Sequence, residues 1–155
     1  MSREESFFDS RDAILAAIPH RPPFLFIDAI TSWTESEIVC TYRFKEDEYF
    51  FAGHYPQTPI VPGVILLESA MQAGAIFTSR LLSSEETKTK APVVGRMNDV
   101  KFKSVVRPGE TVEHTVVLTE RMAGAYLFGA KTRIRGKLAA SFEFIVTMAN
   151  VSGVD

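Results

Sequence analysis

The stretch Val64-Ile65-Leu66-Leu67-Glu68-Ser69-Ala70-Met71-Gln72-Ala73-Gly74-Ala75-Ile76-Phe77 reads as the body of one long helix. Ala, Leu, Met, Gln and Glu favour helix, and the pattern continues to about Leu82. Apolar residues occupy nearly every face, which predicts a buried central helix. Glu68, Ser69 and Gln72 interrupt the stretch, so it is too short and too polar to span a bilayer.

Strand patterns flank this helix. Residues 11–18 suit a short helix, with Asp9 or Ser10 as cap and Pro19 as stop. Phe24 to Ile30 reads as a strand entered through Pro22-Pro23. From Glu37 to Phe44 the chain alternates, with Ile38, Cys40, Tyr42 and Phe44 on one face, as a half-buried strand does. Ser83 to Lys90 is polar and charged and reads as a surface loop. Four strands are expected after it: Asp99 to Val106, Thr111 to Arg121, Ala125 to Arg135 and Lys137 to Met148. Two strands, a buried helix and four strands imply an α+β domain, an antiparallel sheet packed on one helix.

Composition narrows the class. A chain of 155 residues is expected to form one domain spanning 1–155. Its 46% hydrophobic and 23% charged residues fit a globular protein, and a net charge of −2 gives no basic footprint for nucleic acid. The single cysteine, Cys40, excludes an intrachain disulfide and a Cys-based zinc cluster. No signal-peptide core follows the polar start, so a cytoplasmic protein without a membrane span is expected. The histidines show no metal-ligand spacing, no phosphate-loop or dinucleotide motif is present, and without a Gly-x-Ser-x-Gly elbow serine nucleophile chemistry is unsupported.

The chemistry-bearing residues cluster where the central helix begins. His54 lies in a loop stiffened by Pro56, Pro59 and Pro62, each of which locks φ and biases its predecessor towards extended backbone. Histidine exchanges protons near neutral pH. Glu68 and Gln72 make a narrow polar stripe on the apolar helix, four residues apart on one face. Two readings of Glu68 stand: a proton donor kept in an apolar site, or a structural carboxylate that caps an amide or pairs with an arginine. Gly63 and Val64 open the helix, where amides lack intrahelical partners and can polarise a carbonyl. A base, an acid and a carbonyl-polarising amide suit proton transfer next to a carbonyl. His114 alternates into a core strand face and reads as structural, and His20, in Pro19-His20-Arg21-Pro22-Pro23, reads as a loop residue.

Four motifs resemble one family. They are Pro19-His20-Arg21-Pro22-Pro23-Phe24-Leu25; Phe50-Phe51-Ala52-Gly53-His54-Tyr55-Pro56 with Pro59 and Pro62-Gly63-Val64; Leu67-Glu68 with Gln72-Ala73-Gly74; and Val100-Lys101-Phe102-Lys103 with Arg107-Pro108-Gly109-Glu110. They resemble the beta-hydroxyacyl-acyl carrier protein dehydratases of bacterial fatty-acid synthesis, in the FabZ branch, from about Ile18 to Ala149. The resemblance implies a hot-dog fold, an antiparallel sheet wrapped around one long central helix. It implies homodimers with composite sites, His54 of one subunit facing Glu68 of the other, and hexamers as trimers of such dimers. His54 would take the α-proton of a (3R)-3-hydroxyacyl chain on acyl carrier protein, and Glu68 would help the hydroxyl leave as water, giving the trans-2-enoyl thioester. The Gly63 or Val64 amide would hold the thioester carbonyl, Gln72 would orient Glu68, and Tyr55 and Pro62 complete the substrate-binding set.

Tyr55 stands where the family usually has Phe, and Val61 where Met is common. Glu68, not Asp, favours the dehydratase branch over its isomerising relative. The family's carrier protein is acidic, so Lys101, Lys103, Arg107, Lys131, Arg133 and Arg135 are docking candidates, or a solvated strand face. The alternatives are a hot-dog acyl thioesterase and a non-catalytic acyl-thioester-binding module.

Overall fold

A computed structural model describes residues 11–150. Its elements are α1 (Arg11–Ala17), β1 (Ala29–Trp33), β2 (Glu37–Arg43), a 3-10 turn (Tyr49–Ala52), α2 (Gly63–Leu81), α3 (Ser84–Thr89), β3 (Lys90–Phe102), β4 (Thr111–Met122), β5 (Ala125–Ile134) and β6 (Lys137–Asn150). The strands join one sheet in the order β1-β2-β4-β5-β6-β3, each pair antiparallel. The sheet wraps α2, which touches β2 through β6. Among the described residues no helix is long and apolar enough to cross a membrane.

Close approach between helix and sheet depends on small side chains. Ala70 and Ala73 are fully buried, and a Cβ on Gly74 would lie 2.7 Å from the Phe144 ring. Around them pack Ile38, Cys40, Phe77, Val116, Phe128 and Phe144. A second cluster, with Phe26, Phe44, Val61, Leu66 and Ile134, fills the end nearer the start of α2. The expected alternation holds in β2, where Ile38, Cys40 and Tyr42 are buried, and β4 and β6 alternate likewise, burying Val112, His114 and Val116, then Ala140, Phe142, Phe144 and Val146. Burial pushes the Cys40 thiol up to about 12, as an inert core residue requires.

Three expectations are corrected. Phe24 to Ile27 is not a strand, since side chains of α2 bond the backbone at Phe24 and Phe26. Phe26 N–H donates to Gln72 Oε1 at 2.7 Å, Ser69 Oγ donates to the Phe26 carbonyl at 2.7 Å, and Gln72 Nε2 donates to the Phe24 carbonyl at 3.0 Å. Residues 84–89 are helical, not looped: Ser83 and Glu86 form a reciprocal capping box. The strand expected from Asp99 begins at Lys90 and ends at Phe102. It includes Pro92, which an edge strand tolerates because one side needs no donors. The caps proposed at Asp9 and Ser10 lie outside the described residues.

Candidate active site

His54 follows the 3-10 turn and is held by its own loop. Its Nδ1 lies 3.0 Å from the Ile60 carbonyl. A carbonyl only accepts, so Nδ1 carries the hydrogen and the neutral ring presents a free lone pair at Nε2. The Val61 amide donates to the Val106 carbonyl at 2.7 Å and ties the loop to the chain beyond β3. Tyr55, at φ 53°, packs its ring edge-on to His54, 4.8 Å between centroids.

The loop ends at Pro62, which caps α2; its carbonyl accepts from the amides of Ile65 and Leu66. Gly63 and Val64 come next, with amides that have no carbonyl a turn earlier to bond. A Cβ on Gly63 would lie 2.8 Å from the Phe102 ring, so glycine is what lets β3 reach the helix start. His54, Tyr55, Gly63 and Phe102 line one cavity of about 510 Å³, with Lys103 at its edge. Pro62 is buried behind that wall, and the Val64 side chain is exposed.

Glu68 sits one turn along α2 and lines a different cavity, of about 260 Å³, with His20, Met71, Gln72, Val93 and Val94. Gln72 Nε2 donates to Glu68 Oε1 at 3.0 Å. The same amide group binds Phe24 and Phe26, so Gln72 is fixed at both ends and fixes Glu68 in turn. Within one chain, His54 and the start of α2 therefore share a cavity, while Glu68 and Gln72 share another.

The other residues named from the sequence also find places. His20 Nε2 lies 3.5 Å from Glu68 Oε1, a contact no local pattern could reveal because it joins distant segments. His114 is fully buried between Ser69 and Thr132, at 2.6 and 2.7 Å, and is structural. Lys101 pairs with Asp99 and Arg135 with Glu110, while Lys131 and Arg133 line a groove with Glu37 and Glu143. Among the described residues no three His, Cys, Asp or Glu side chains are grouped as metal ligands.

A model of the FabA-like domain family matches residues 18–143. The 3-hydroxyacyl-[acyl-carrier-protein] dehydratase FabZ of Clostridium botulinum (strain Hall) is 37% identical over 142 residues, 91% of this chain and 96% of that protein. The chain belongs to the FabZ dehydratase family. The FabZ resemblance read from the motifs is thus borne out, and the hot-dog fold with it. A chain of the dehydratase heterocomplex ApeI:P of Xenorhabdus doucetiae superposes with TM-score 0.74 at 12% identity, covering 90% of this chain and 92% of that one. The thioesterase HI1161 of Haemophilus influenzae superposes with TM-score 0.59 at 16% identity, covering 81% and 80%. At such identities only the fold is shared, and the chemistry of a FabZ member must be argued from its site.

Proposed function

We propose that this protein dehydrates (3R)-3-hydroxyacyl-acyl carrier protein to the trans-2-enoyl thioester in fatty-acid synthesis, in the cytoplasm, with His54 of one subunit and Glu68 of its partner. The dehydratase activity rests on family membership; the roles of the residues rest on geometry. The observation that carries the assignment is the His54–Ile60 bond, which leaves Nε2 ready to accept a proton beside the open amides of α2.

His54 Nε2 takes the C2 proton, and the electrons of that bond move towards the thioester carbonyl, whose oxygen accepts a hydrogen bond from the Gly63 or Val64 amide. As that carbonyl re-forms, the C3–O bond breaks and Glu68 gives its proton to the departing hydroxyl, making water. One turnover leaves His54 protonated and Glu68 ionised.

The strand β3 supports the composite site. Among the described residues it has β6 on one side and no strand on the other, and Val94, Met97, Val100 and Phe102 are exposed along it. The Glu68 cavity meets β3 near its start, at Pro92, Val93 and Val94, and the His54 cavity meets it at its end, at Phe102. Antiparallel pairing of two β3 edges about a two-fold axis sets the start of one strand against the end of the other. His54 then faces its partner's Glu68. Lys103, beside the His54 cavity, is the basic residue best placed to meet an acidic carrier protein.

The test is crotonyl-acyl carrier protein hydration, followed as loss of enoyl-thioester absorbance together with a free-thiol assay. Absorbance loss that needs His54 and releases no thiol is expected. Thiol release would make the protein a thioesterase, and no change in either signal would make it a binding module.

A further inference from the structure

We propose that His20 is a positioning residue that returns protons between solvent and Glu68 in each catalytic cycle, an inference that rests on the role assigned above to Glu68. Its Nε2 stands 3.5 Å from Glu68 Oε1, and the two side chains are 25% and 23% exposed, so the imidazole reaches both the carboxylate and water. Its Nδ1 is buried and has no hydrogen-bond partner among the described residues. Gln72, the other group on Oε1, is an amide that holds the carboxylate but cannot exchange a proton with it.

A loop role does not account for an imidazole here. The Arg21 guanidinium anchors the segment by donating to the carbonyls of Leu15, Ile18 and His20 itself, at 2.9, 2.9 and 2.7 Å. Gln72 and Ser69 anchor it on the far side, at Phe24 and Phe26. Backbone position is fixed on both flanks without the His20 ring, whose Nε2 is then free to face α2.

Each dehydration leaves His54 protonated and Glu68 ionised; His54 releases its proton to solvent, and the next turnover needs Glu68 protonated again. A protonated His20 breaks its Nε2–H bond and transfers that proton to the carboxylate; solvent re-protonates His20. In the hydration direction the same path runs backwards. Among the described residues, the charged groups placed beside His20 are Glu68 on α2 and Arg21 on its own segment, turned towards carbonyls. From β3 and β6 the cavity receives only Pro92, Val93, Val94 and Val146.

The experiment compares wild type, His20→Asn and His20→Ala in crotonyl-acyl carrier protein hydration across pH, with and without added imidazole. Asn keeps a donor for Glu68 but carries no exchangeable charge. The proposal expects kcat of His20→Asn to fall by about tenfold or more with KM little changed, within the range of general acid–base contributions. It also expects the kcat–pH profile to lose one ionisation and imidazole to accelerate His20→Ala but not wild type. A kcat and pH profile like wild type in His20→Asn overturns the proposal and leaves the Glu68 assignment intact. A fall in kcat with an unchanged profile and no imidazole rescue reduces His20 to a structural support and also overturns it. An inactive wild type overturns the parent reading instead.

Discussion

His114 shows how a titratable side chain can serve structure alone. Ser69 Oγ donates to the Phe26 carbonyl, so His114 Nε2–H donates to Ser69 and Nδ1 accepts from the Thr132 hydroxyl; both nitrogens are satisfied in a neutral ring. Full burial pushes its pKa from the ordinary 6.5 down to about 3. Between those values an unfolded chain binds a proton that the native chain does not. This group's contribution therefore falls as pH drops from 6.5 towards 3, by up to about 1.4 kcal/mol per pH unit. We predict that His114→Gln flattens the dependence of unfolding free energy on pH in that window by about one proton, measured by urea unfolding from pH 7 to 4; parallel slopes for the two proteins would refute it. Alternation in β4 was enough to mark this histidine as structural. His20 was not legible in the same way, because its meaning lies in a contact between segments that only the fold brings together.

Helix α2 shows what an element needs beyond propensity. Its hydrophobic run was plain in the sequence, but the reason for Gly74 was not. Phe144 stacks on Phe128 and Phe142, at 5.2 Å between centroids in both pairs, so its ring has nowhere to move when a Cβ arrives at 2.7 Å. Ala is the better helix former by about 1 kcal/mol, but overpacking costs about 1–3 kcal/mol and outweighs it. Gly74→Ala is predicted to lower stability by up to about 2 kcal/mol, seen as a lower urea midpoint at unchanged slope; an unchanged or higher midpoint would show that the rings yield. The misread elements have physical causes. Phe24 to Ile27 is apolar like a buried strand, yet helix side chains bond its backbone at Phe24 and Phe26. The start of β3 shows no alternation because the strand is mostly exposed in the single chain. The Ser83–Glu86 capping box was present in the sequence, and the surrounding charge masked it.

At the scale of the molecule, a single chain places the His54 and Glu68 cavities at opposite ends of one edge strand, β3. Motif order was enough to identify the family. Where each cavity opens could not be read from the sequence, because it depends on which strand is left at the sheet edge. If β3 edges pair, lysine at Met97, an exposed position in that strand, would set charges close together near the two-fold axis. Met97→Lys is predicted to shift the protein towards monomer in analytical ultracentrifugation and to abolish hydration activity with it. A fully active monomer would contradict the composite site.

The most direct test mixes two inactive proteins, His54→Ala and Glu68→Ala, after unfolding and joint refolding. Each mixed dimer would contain one site with both residues intact. Random assortment makes about half the dimers mixed, so activity should recover to about a quarter of wild type. No recovery, with mixed dimers shown by differential tagging to have formed, would contradict the claim that His54 and Glu68 act across a subunit boundary.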